Sequence, residues 1–416
     1  MFTSFSTALS ALSAHSTAID VVGNNLANLN TPGFKTSVVS FHDLVTQSLG
    51  AGLGDTQVGF GVGTPMTLRE FSQGAIQTTG GPLDAAIQGD GFFVVRGANS
   101  GIEYTRGGNL QVDKDGNLTT STGEQLQGWT QINGQLDTNA TPGNITIPVG
   151  TVQPPKSTDT ISFDINLNAA AQPGSTDTKF ATSVTVYDSL GNSHIVTATF
   201  TKDPTTPLTW GYSLSIPDGD VKSPPAPAYT GTLTFGADGK LASPLATDPP
   251  PTPWQVDLAD NAAPLNLGMS LFNGLTPRVS QYAQPSSVSA VAQNGSAAAQ
   301  LVRVAVADAG QILAQFSNGQ QTVVGQLAMA TIRNPDSLIA VGDNNYQLSA
   351  RSALPAVGLP GTGGRGSVKG GAVEASTVDI AQQFTNLIVY QRGYEANSKV
   401  VSAVDELSQN TINLIK

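Results

Sequence analysis

The three histidines of this chain are the side chains best suited to bind a metal ion or to exchange a proton near neutral pH. They are His15, His42 and His194. By sequence they fall in an opening helix, a connector and a strand, and none has a second histidine or an acidic residue at a metal-ligand spacing. The sequence therefore predicts no metal site.

A glycine-rich stretch matches the G-x-G-x-x-G pattern of dinucleotide-binding loops through Gly361, Gly363 and Gly366. In such loops a strand precedes the glycines and a helix follows them, because the helix N-terminus binds the phosphates. Here the next residues are SVKGG, so a linker is predicted. The chain also contains neither a G-x-S-x-G elbow nor a Walker-type lysine loop, and no cofactor and no enzymatic activity are predicted.

A second pattern resembles a calcium-binding loop. Its candidate ligands, at loop positions 1, 3, 5 and 12, are Asp113, Asp115, Asn117 and Glu124. Leu118 replaces the glycine that such a loop needs at position 6, and no flanking helices are expected. The segment DKDGN (113–117) is therefore predicted to be a hairpin turn.

The composition favours β-rich, turn-rich domains. Of 416 residues only 12% are charged, whereas 45 are glycine and 25 proline. This length predicts two or three domains. A formal net charge of -11 opposes binding to nucleic acid or an anionic membrane, and zero cysteines exclude disulfides and thiolate metal sites.

The sequence also lacks the signals for cleavable secretion or membrane insertion. The first positively charged side chain is Lys35, whereas a secretory signal peptide begins with a basic region. No window approaches 18 uninterrupted apolar residues. Export, if it occurs, is expected to use another route.

The first 30 residues carry a heptad stripe, which predicts a helix. The stripe consists of Met1, Phe5, Ala8, Leu12, His15, Ile19, Val22, Leu26 and Leu29. Its outer positions are Ser, Thr, Ala and Asn, so it is expected to pack on several sides. The helix should stop at Thr31, because a residue before proline avoids the α region and Pro32-Gly33 favours a type II turn.

A second long helix is predicted from residue 378 to the end. The segment contains no proline and one glycine, Gly393, and a glycine in a helix interior costs about 1 kcal/mol relative to alanine.

Between the two helices the sequence pattern indicates strands. Prolines are concentrated in residues 151–284, which hold 16 of the 25. The clearest hairpin there is SVTVYDSLGNSHIVTATF (183–200).

Four segments are similar to the shared signatures of the bacterial flagellar rod and hook proteins. They are NNLANLNTPGFK (24–35), GDGFFVV (89–95), YTRGGNLQVDKDGNL (104–118) and VEASTVDIAQQFTNLIVYQRGYEANSKVV (373–401). Within this group, VYDSLGNSHIVTATF (186–200) and NPDSLIAVGDNNYQLSA (334–350) resemble the hook branch of the family. The chain length and the large insertion also favour that branch.

The resemblance implies a mixed, mainly β fold in which long N- and C-terminal α-helices form a coiled-coil domain. This domain is nested around an inner β domain and an inserted Pro-rich outer β domain. The expected boundaries are 1–34 and 373–416 for the helical domain, 35–84 and 356–372 for connectors, 85–150 and 285–355 for the inner domain, and 151–284 for the outer domain.

The implied function is that of a structural subunit of the flagellar hook, a curved tube that acts as a universal joint between rod and filament. The subunit would self-assemble into a helical homopolymer and meet the distal rod protein, the hook-cap protein, the hook-filament junction protein and the type III export apparatus. It would lie outside the cell, exported without a cleavable signal, and bind neither nucleic acid nor membrane.

Residues on both helices are predicted to form the assembly seam. They are Phe5, Leu12, Ile19, Val22, Leu26, Ile380, Phe384, Leu387, Tyr394, Val401, Val404 and Leu407. Pro32 and Gly33 form the turn after the first helix. The resemblance also implies an export gate that reads an F-x-x-x-apolar pattern, which both Phe5–Leu9 and Phe41–Val45 fit. Phe41 and Val45 are the preferred candidate because they lie in the connector, whereas Phe5 is a core position of the heptad stripe.

Two alternatives stay open on the sequence. A distal rod protein shares the terminal signatures, but the inserted domain argues against it. A secreted β-rich adhesin or wall-associated hydrolase would need no heptads at both termini.

Overall fold

The structure is a computed structural model that describes residues 2–44, 46–48, 57–97, 101–131, 136–150, 152–172, 175–224, 227, 229–249 and 251–414. The chain divides into two compact units. The first comprises Met1–Val149, Arg303–Gln315 and Gln321–Lys416, and the second comprises Gly150–Val302 and Phe316–Gln320.

Two long helices frame the first unit, α1 (Phe2–Ala27) and α2 (Ile380–Leu414). Their positions confirm the two predicted helices. The short 3-10 helices of the described chain are Thr176–Thr178, Asp218–Asp220, Asp308–Gly310 and Pro335–Ser337. Mainly β structure with a helix at each end agrees with the fold class predicted from the sequence.

α1 ends at Ala27, four residues before the predicted stop at Thr31, whereas the predicted turn at Pro32-Gly33 is present. Beyond Ala27 the chain makes turn bonds, in which the amide of Thr31 donates to the Asn28 carbonyl and the amide of Phe34 donates to the Thr31 carbonyl. Gly33 has φ +72°, and a Cβ there would lie 2.6 Å from the Arg106 carbonyl oxygen. Only glycine fits both the left-handed backbone and the close approach.

The β structure of the first unit is built from short strands. They are Ser37–Ser40, Thr46–Ser48, Gln57–Gly59, Met66–Arg69, Ile76–Thr78, Ala85–Gln88, Phe92–Arg96, Ile102–Thr105, Leu110–Val112, Leu118–Thr120, Gln125–Thr130, Gly143–Asn144, Gln321–Leu327, Met329–Thr331, Ile339–Gly342, Asn345–Gln347, Ala356–Gly358, Ser367–Gly370 and Ala372–Glu374. Strands Ala299–Val306 and Gln311–Phe316 cross the boundary between the units.

The main sheet of this unit is antiparallel. Its central path runs through strands Gln311–Phe316, Gln321–Leu327, Gln125–Thr130, Phe92–Arg96, Ile102–Thr105, Asn345–Gln347 and Ile339–Gly342. A cluster of aromatic rings packs beside it. Phe71 lies 5.5 Å from Phe92 and 5.3 Å from Tyr346, measured between ring centroids, in edge-on geometry.

The structure corrects the prediction of a flexible connector at GLPGTGGRGSVKGG (358–371). Ser367–Gly370 pairs with Ala85–Gln88, and Ala372–Glu374 pairs with Ile76–Thr78. Val368 and Ala372 are buried. Non-local strand pairing therefore orders this glycine-rich segment, which local composition alone could not indicate.

The second unit is a β-sandwich. Its strands are Val152–Gln153, Thr160–Asn168, Lys179–Tyr187, Ser193–Lys202, Thr209–Ser215, Tyr229–Phe235, Leu241–Ser243, Trp254–Val256, Leu265–Ser270, Phe272–Asn273, Thr276–Pro277, Val279–Tyr282 and Ser287–Gln293. In one sheet the five strands between Lys179 and Ser243 lie side by side in their sequence order. The other sheet has Thr160–Asn168 at its centre. Apolar residues of both sheets, including Phe163, Trp210 and Trp254, form one core.

Two predicted hairpins are confirmed. Lys179–Tyr187 pairs with Ser193–Lys202 around the turn 188–192, and Leu110–Val112 pairs with Leu118–Thr120 around DKDGN. The Asp113 carboxylate accepts hydrogen bonds from the amides of Asp115 and Asn117, at 2.9 and 2.7 Å. Asn117 Nδ2 also donates to Asp113 Oδ2 at 2.9 Å. This side-chain bond is the main cause that lowers the pKa of Asp113, the amide bonds lower it further, and together they occupy the carboxylate in the turn.

The domain boundaries themselves stay a proposal. In the structure the strand Ser287–Gln293, which the sequence places in the inner domain, pairs with Thr160–Asn168 of the second unit. Its apolar side chains give no local sign of which sheet they join.

Candidate assembly surface

The two long helices contact each other within the first unit. The most buried of the described residues of α1 are Ala8, Ala14, Ala18, Val22 and Asn25. The spacing of four and three from Ala14 to Asn25 places these four residues on one face. Asn25 Nδ2 donates to the side-chain oxygen Oε1 of Gln383, on α2, at 3.0 Å. Mostly small residues line this face, and small residues allow two helix backbones to approach closely.

Gly393 of α2 lies against the His15 side chain of α1. A Cβ at that position would be 2.6 Å from His15 Cε1. The His15 ring also packs against Phe41 and Tyr390, at centroid distances of 5.5 and 6.3 Å. Phe41, the residue of the candidate export pattern, thus packs near the helix pair and remains 38% exposed. Val45 lies outside the described residues.

The predicted seam residues fall into two groups. Those that are buried or partly buried are Leu12, Ile19, Val22, Leu26, Leu387, Val401 and Val404. Those that are exposed are Phe5, Ile380, Phe384, Tyr394 and Leu407.

Further large apolar side chains are exposed on the same helices. They are Leu9 on α1, and Ile388, Val389, Val400 and Ile412 on α2. In the isolated chain α2 therefore presents apolar groups to solvent along its whole length. An extended exposed apolar surface of this kind is typical of an interaction site.

A buried polar junction joins the turn after α1 to the segment before α2. The Glu374 carboxylate is fully buried and accepts from Lys35 Nζ at 2.6 Å and from the Gly74 amide at 2.7 Å. Its second oxygen, Oε2, accepts from Arg106 Nη1 at 3.2 Å. Burial lowers the pKa of Lys35, against the hydrogen bond and charge of Glu374, which raise it.

Backbone and amide bonds complete this junction. The Gly33 amide donates to the Glu374 carbonyl at 2.8 Å. Asn25 donates to the Ser37 carbonyl at 2.8 Å and accepts from the Ser37 amide at 3.0 Å. The junction thus fixes the direction in which the chain leaves α1 and enters α2.

Sequence reasoning did not single out the residues of this junction. Lys35, Arg106 and Glu374 are separated by 71 and 268 positions, so no local spacing relates them. The signal that could have found them is that each lies in one of the segments similar to the family signatures, 24–35, 104–118 and 373–401. The predicted turn residues Pro32 and Gly33 lie directly beside them.

The glycine-rich pattern does not meet the requirements of a dinucleotide-binding loop. Strand Ser367–Gly370, and no helix, follows Gly361, Gly363 and Gly366.

Across the described residues, neither α1 nor α2 combines the length and apolar character needed to cross a membrane.

Four domain families match successive parts of the chain. Flagella basal body rod protein matches residues 5–35, the D1 domain of flagellar hook protein FlgE/F/G matches 86–167, the D2 domain of flagellar basal body protein FlaE matches 172–296, and the C-terminal domain of flagellar basal body rod FlgEFG protein matches 369–414. The first contains most of α1, and the last contains all of α2.

Similar proteins extend over the full length. The chain is 33% identical to flagellar hook protein FlgE of Escherichia coli strain K12 over 99% of both chains. It is 31% identical to FlgE of Borreliella burgdorferi over 100% of both, and 32% identical to FlgE of Salmonella typhimurium over 99% of this chain and 100% of that one. The crystal structure of Helicobacter pylori flagellar hook protein FlgE2 shares the fold, with TM-score 0.51, 16% identity and coverage of 70% of this chain and 98% of that one.

Proposed function

Because the chain belongs to the flagellar hook protein family and is a structural subunit of the hook, we propose that it polymerises through its two terminal helices into a curved, flexible tube. Torque from the motor passes through this tube to the filament, as through a universal joint. The subunit has no catalytic role.

The observation that carries the assembly mechanism is the uncovered apolar surface of α2. Phe384 is 51% exposed, Ile388 54% and Leu407 57%. A helix of 35 residues is about 52 Å long at about 1.5 Å per residue. Neighbouring copies that cover this length would bury each of these side chains. Complete burial of a fully exposed large apolar side chain stabilises by about 1.5–3 kcal/mol, and these half-exposed side chains would contribute part of that free energy.

Coiled-coil packing of α1 on α2, continued by neighbouring subunits, follows from the same surface. The faces already paired are those with small and polar residues, such as Ala18 and Gln383. The larger side chains Phe5 and Phe384 remain for the neighbours. In this arrangement the exposed members of the predicted seam are contacts between subunits.

The partners follow from the position of the hook. The first subunits meet the distal rod protein, the last meet the hook-filament junction protein, and the growing end carries the hook cap. The subunit reaches that end outside the cell through the type III export apparatus, without a cleavable signal. Phe41 is the candidate contact for the export gate.

The two alternatives are less well supported. Relatives that match the chain from end to end are hook proteins, whereas the rod families match only parts of it. A β-rich adhesin would not require an apolar surface on two terminal helices.

Electron microscopy of concentrated purified protein tests the proposal. Wild-type protein should form tubes, and Phe384→Ser should abolish or strongly reduce them. The matched control is Leu275→Ser, because Leu275 is 81% exposed but lies in the second unit. Equal tube formation by Phe384→Ser, or loss of tubes in both variants, contradicts assembly through the helices, and straight rigid tubes favour the rod alternative.

A further inference from the structure

The turn of the hairpin at residues 188–192 in the second unit gathers acidic side chains around one histidine. His194 Nε2 lies 3.4 Å from Asp188 Oδ2 and 3.6 Å from Asp260 Oδ2, and His194 Nδ1 lies 3.3 Å from Asp220 Oδ2. Asp188 is fully buried and His194 is 7% exposed. The sequence analysis missed this group, because Asp220 and Asp260 are 26 and 66 positions from the histidine.

These distances suit metal ligands better than ion pairs. Charge-assisted hydrogen bonds between nitrogen and carboxylate oxygen are about 2.7–2.9 Å long. Two ligand atoms that are each about 2.1 Å from a tetrahedral zinc ion are roughly 3.4 Å apart. The Nε2–Oδ2 distances of 3.4 and 3.6 Å agree with the second arrangement.

The second ring nitrogen of the histidine provides an independent sign. Nδ1 is buried and makes no hydrogen bond of suitable geometry, although the Asp220 carboxylate lies 3.3 Å away. A metal-binding histidine usually donates its other N–H to a carboxylate, which fixes the orientation of the ring. Asp220 stands where that carboxylate is required.

The surrounding bonds hold the ligands in place before any ion arrives. Asn192 Nδ2 donates to Asp188 Oδ2 at 3.1 Å and to Asp260 Oδ2 at 3.0 Å. The Ala259 amide donates to the Asp220 carbonyl at 2.9 Å. Among the described residues no lysine or arginine forms an ion pair with these three carboxylates, so their charge is available to a cation.

We propose that Asp188, His194 and Asp260 bind a divalent transition-metal ion such as Zn²⁺, with Asp220 orienting the histidine. The three ligand atoms lie within 4.8 Å of one another. An imidazole ligand favours Zn²⁺ over Ca²⁺ and Mg²⁺, which prefer oxygen ligands throughout. Asp260 and Asp220 are partly exposed, so the ion can enter from solvent. Bound there, it would tie the hairpin turn to two further loops of the second unit.

Calorimetric titration of the full chain, stripped with EDTA and dialysed, tests the site with Zn²⁺ and Ca²⁺ as probes. Wild-type protein should bind one Zn²⁺ per chain, with Ca²⁺ binding far more weakly, and Zn²⁺ should raise the unfolding temperature of the second unit. His194→Gln should lose both effects. Asp220→Asn should retain one site with affinity lowered by about 10–100-fold.

His42→Gln is the matched control, because it removes a histidine of the first unit and should leave binding unchanged. Circular dichroism without metal establishes that the variants are folded. If His194→Gln does not fold, Asp260→Ala replaces it and should lose the Zn²⁺ site. Equal binding by wild type and His194→Gln, equal loss in His42→Gln, or Ca²⁺ binding as tight as Zn²⁺ overturns the proposal and leaves a plain acidic surface.

Discussion

Glu374 is the residue on which the geometry of both chain ends depends. Its carboxylate is fully buried and receives hydrogen bonds from Lys35, Arg106 and Gly74. A buried charge is costly unless it is paired and fully hydrogen-bonded. The junction is therefore sensitive to the loss of any one charge.

We predict that Glu374→Gln destabilises the first unit by about 3–5 kcal/mol, because two buried cations lose their shared counter-charge. The measurement is urea unfolding of the purified chain. Adding Lys35→Met to this variant should restore part of the loss, since one unpaired cation is then removed.

An exposed ion pair provides the control for this prediction. Lys114 and Asp115 are 3.3 Å apart, with side chains 89% and 64% exposed. Exposed pairs contribute about 0–1 kcal/mol, so Asp115→Asn should change stability little. If Glu374→Gln is no more harmful than Asp115→Asn, the junction does not hold the chain ends.

At the scale of elements, the heptad pattern and the absence of proline were sufficient to place both helices. They were not sufficient to choose the face that each helix turns toward the other. The sequence favoured large side chains such as Phe5 and Phe384, whereas the structure pairs the face with Ala14 and Ala18. Large residues mark where apolar surface must be covered, but only the structure shows which partner covers it.

The contact between Gly393 and His15 gives a prediction for the helix pair. Gly393→Ala should weaken pairing and assembly, because the added Cβ meets a ring that Phe41 and Tyr390 hold in place. Gly23→Ala is the matched control. Gly23 has nothing within 4 Å of the added Cβ, and alanine stabilises a helix interior by about 1 kcal/mol relative to glycine.

Helix content by circular dichroism and tube yield by electron microscopy measure both variants. Gly23→Ala should match or exceed wild type in both. His15→Ala should rescue Gly393→Ala by removing the ring. Wild-type tube yield from Gly393→Ala alone would show that the helices do not need close approach at this point.

At the scale of the whole molecule, the sequence indicated a proline-rich inserted domain. The composition could not predict the residue at which this domain ends. Ser287–Gln293 looks like any other exposed strand, and only its pairing with Thr160–Asn168 assigns it to the second unit. The pairing of distant strands also explains why the glycine-rich segment before α2 was mistaken for a linker.

Removal of the second unit tests whether assembly needs it. Gln153 and Ala299 are cross-strand partners, so residues 154–298 can be replaced by an Asn-Gly turn that closes a hairpin. We predict that this variant still forms tubes, because α1, α2 and the main sheet are intact. Folded variant protein that never assembles would assign essential contacts to the second unit.

The most direct test of how this subunit functions is to measure whether α2 becomes buried when subunits assemble. The chain has no cysteine, so a single introduced cysteine reports on one position. Ile388→Cys should react readily with a maleimide in the free subunit and become largely unreactive in tubes, whereas Leu275→Cys should react in both states. Equal reactivity of Ile388→Cys before and after assembly would contradict the proposal that the exposed apolar surface of the terminal helices builds the hook.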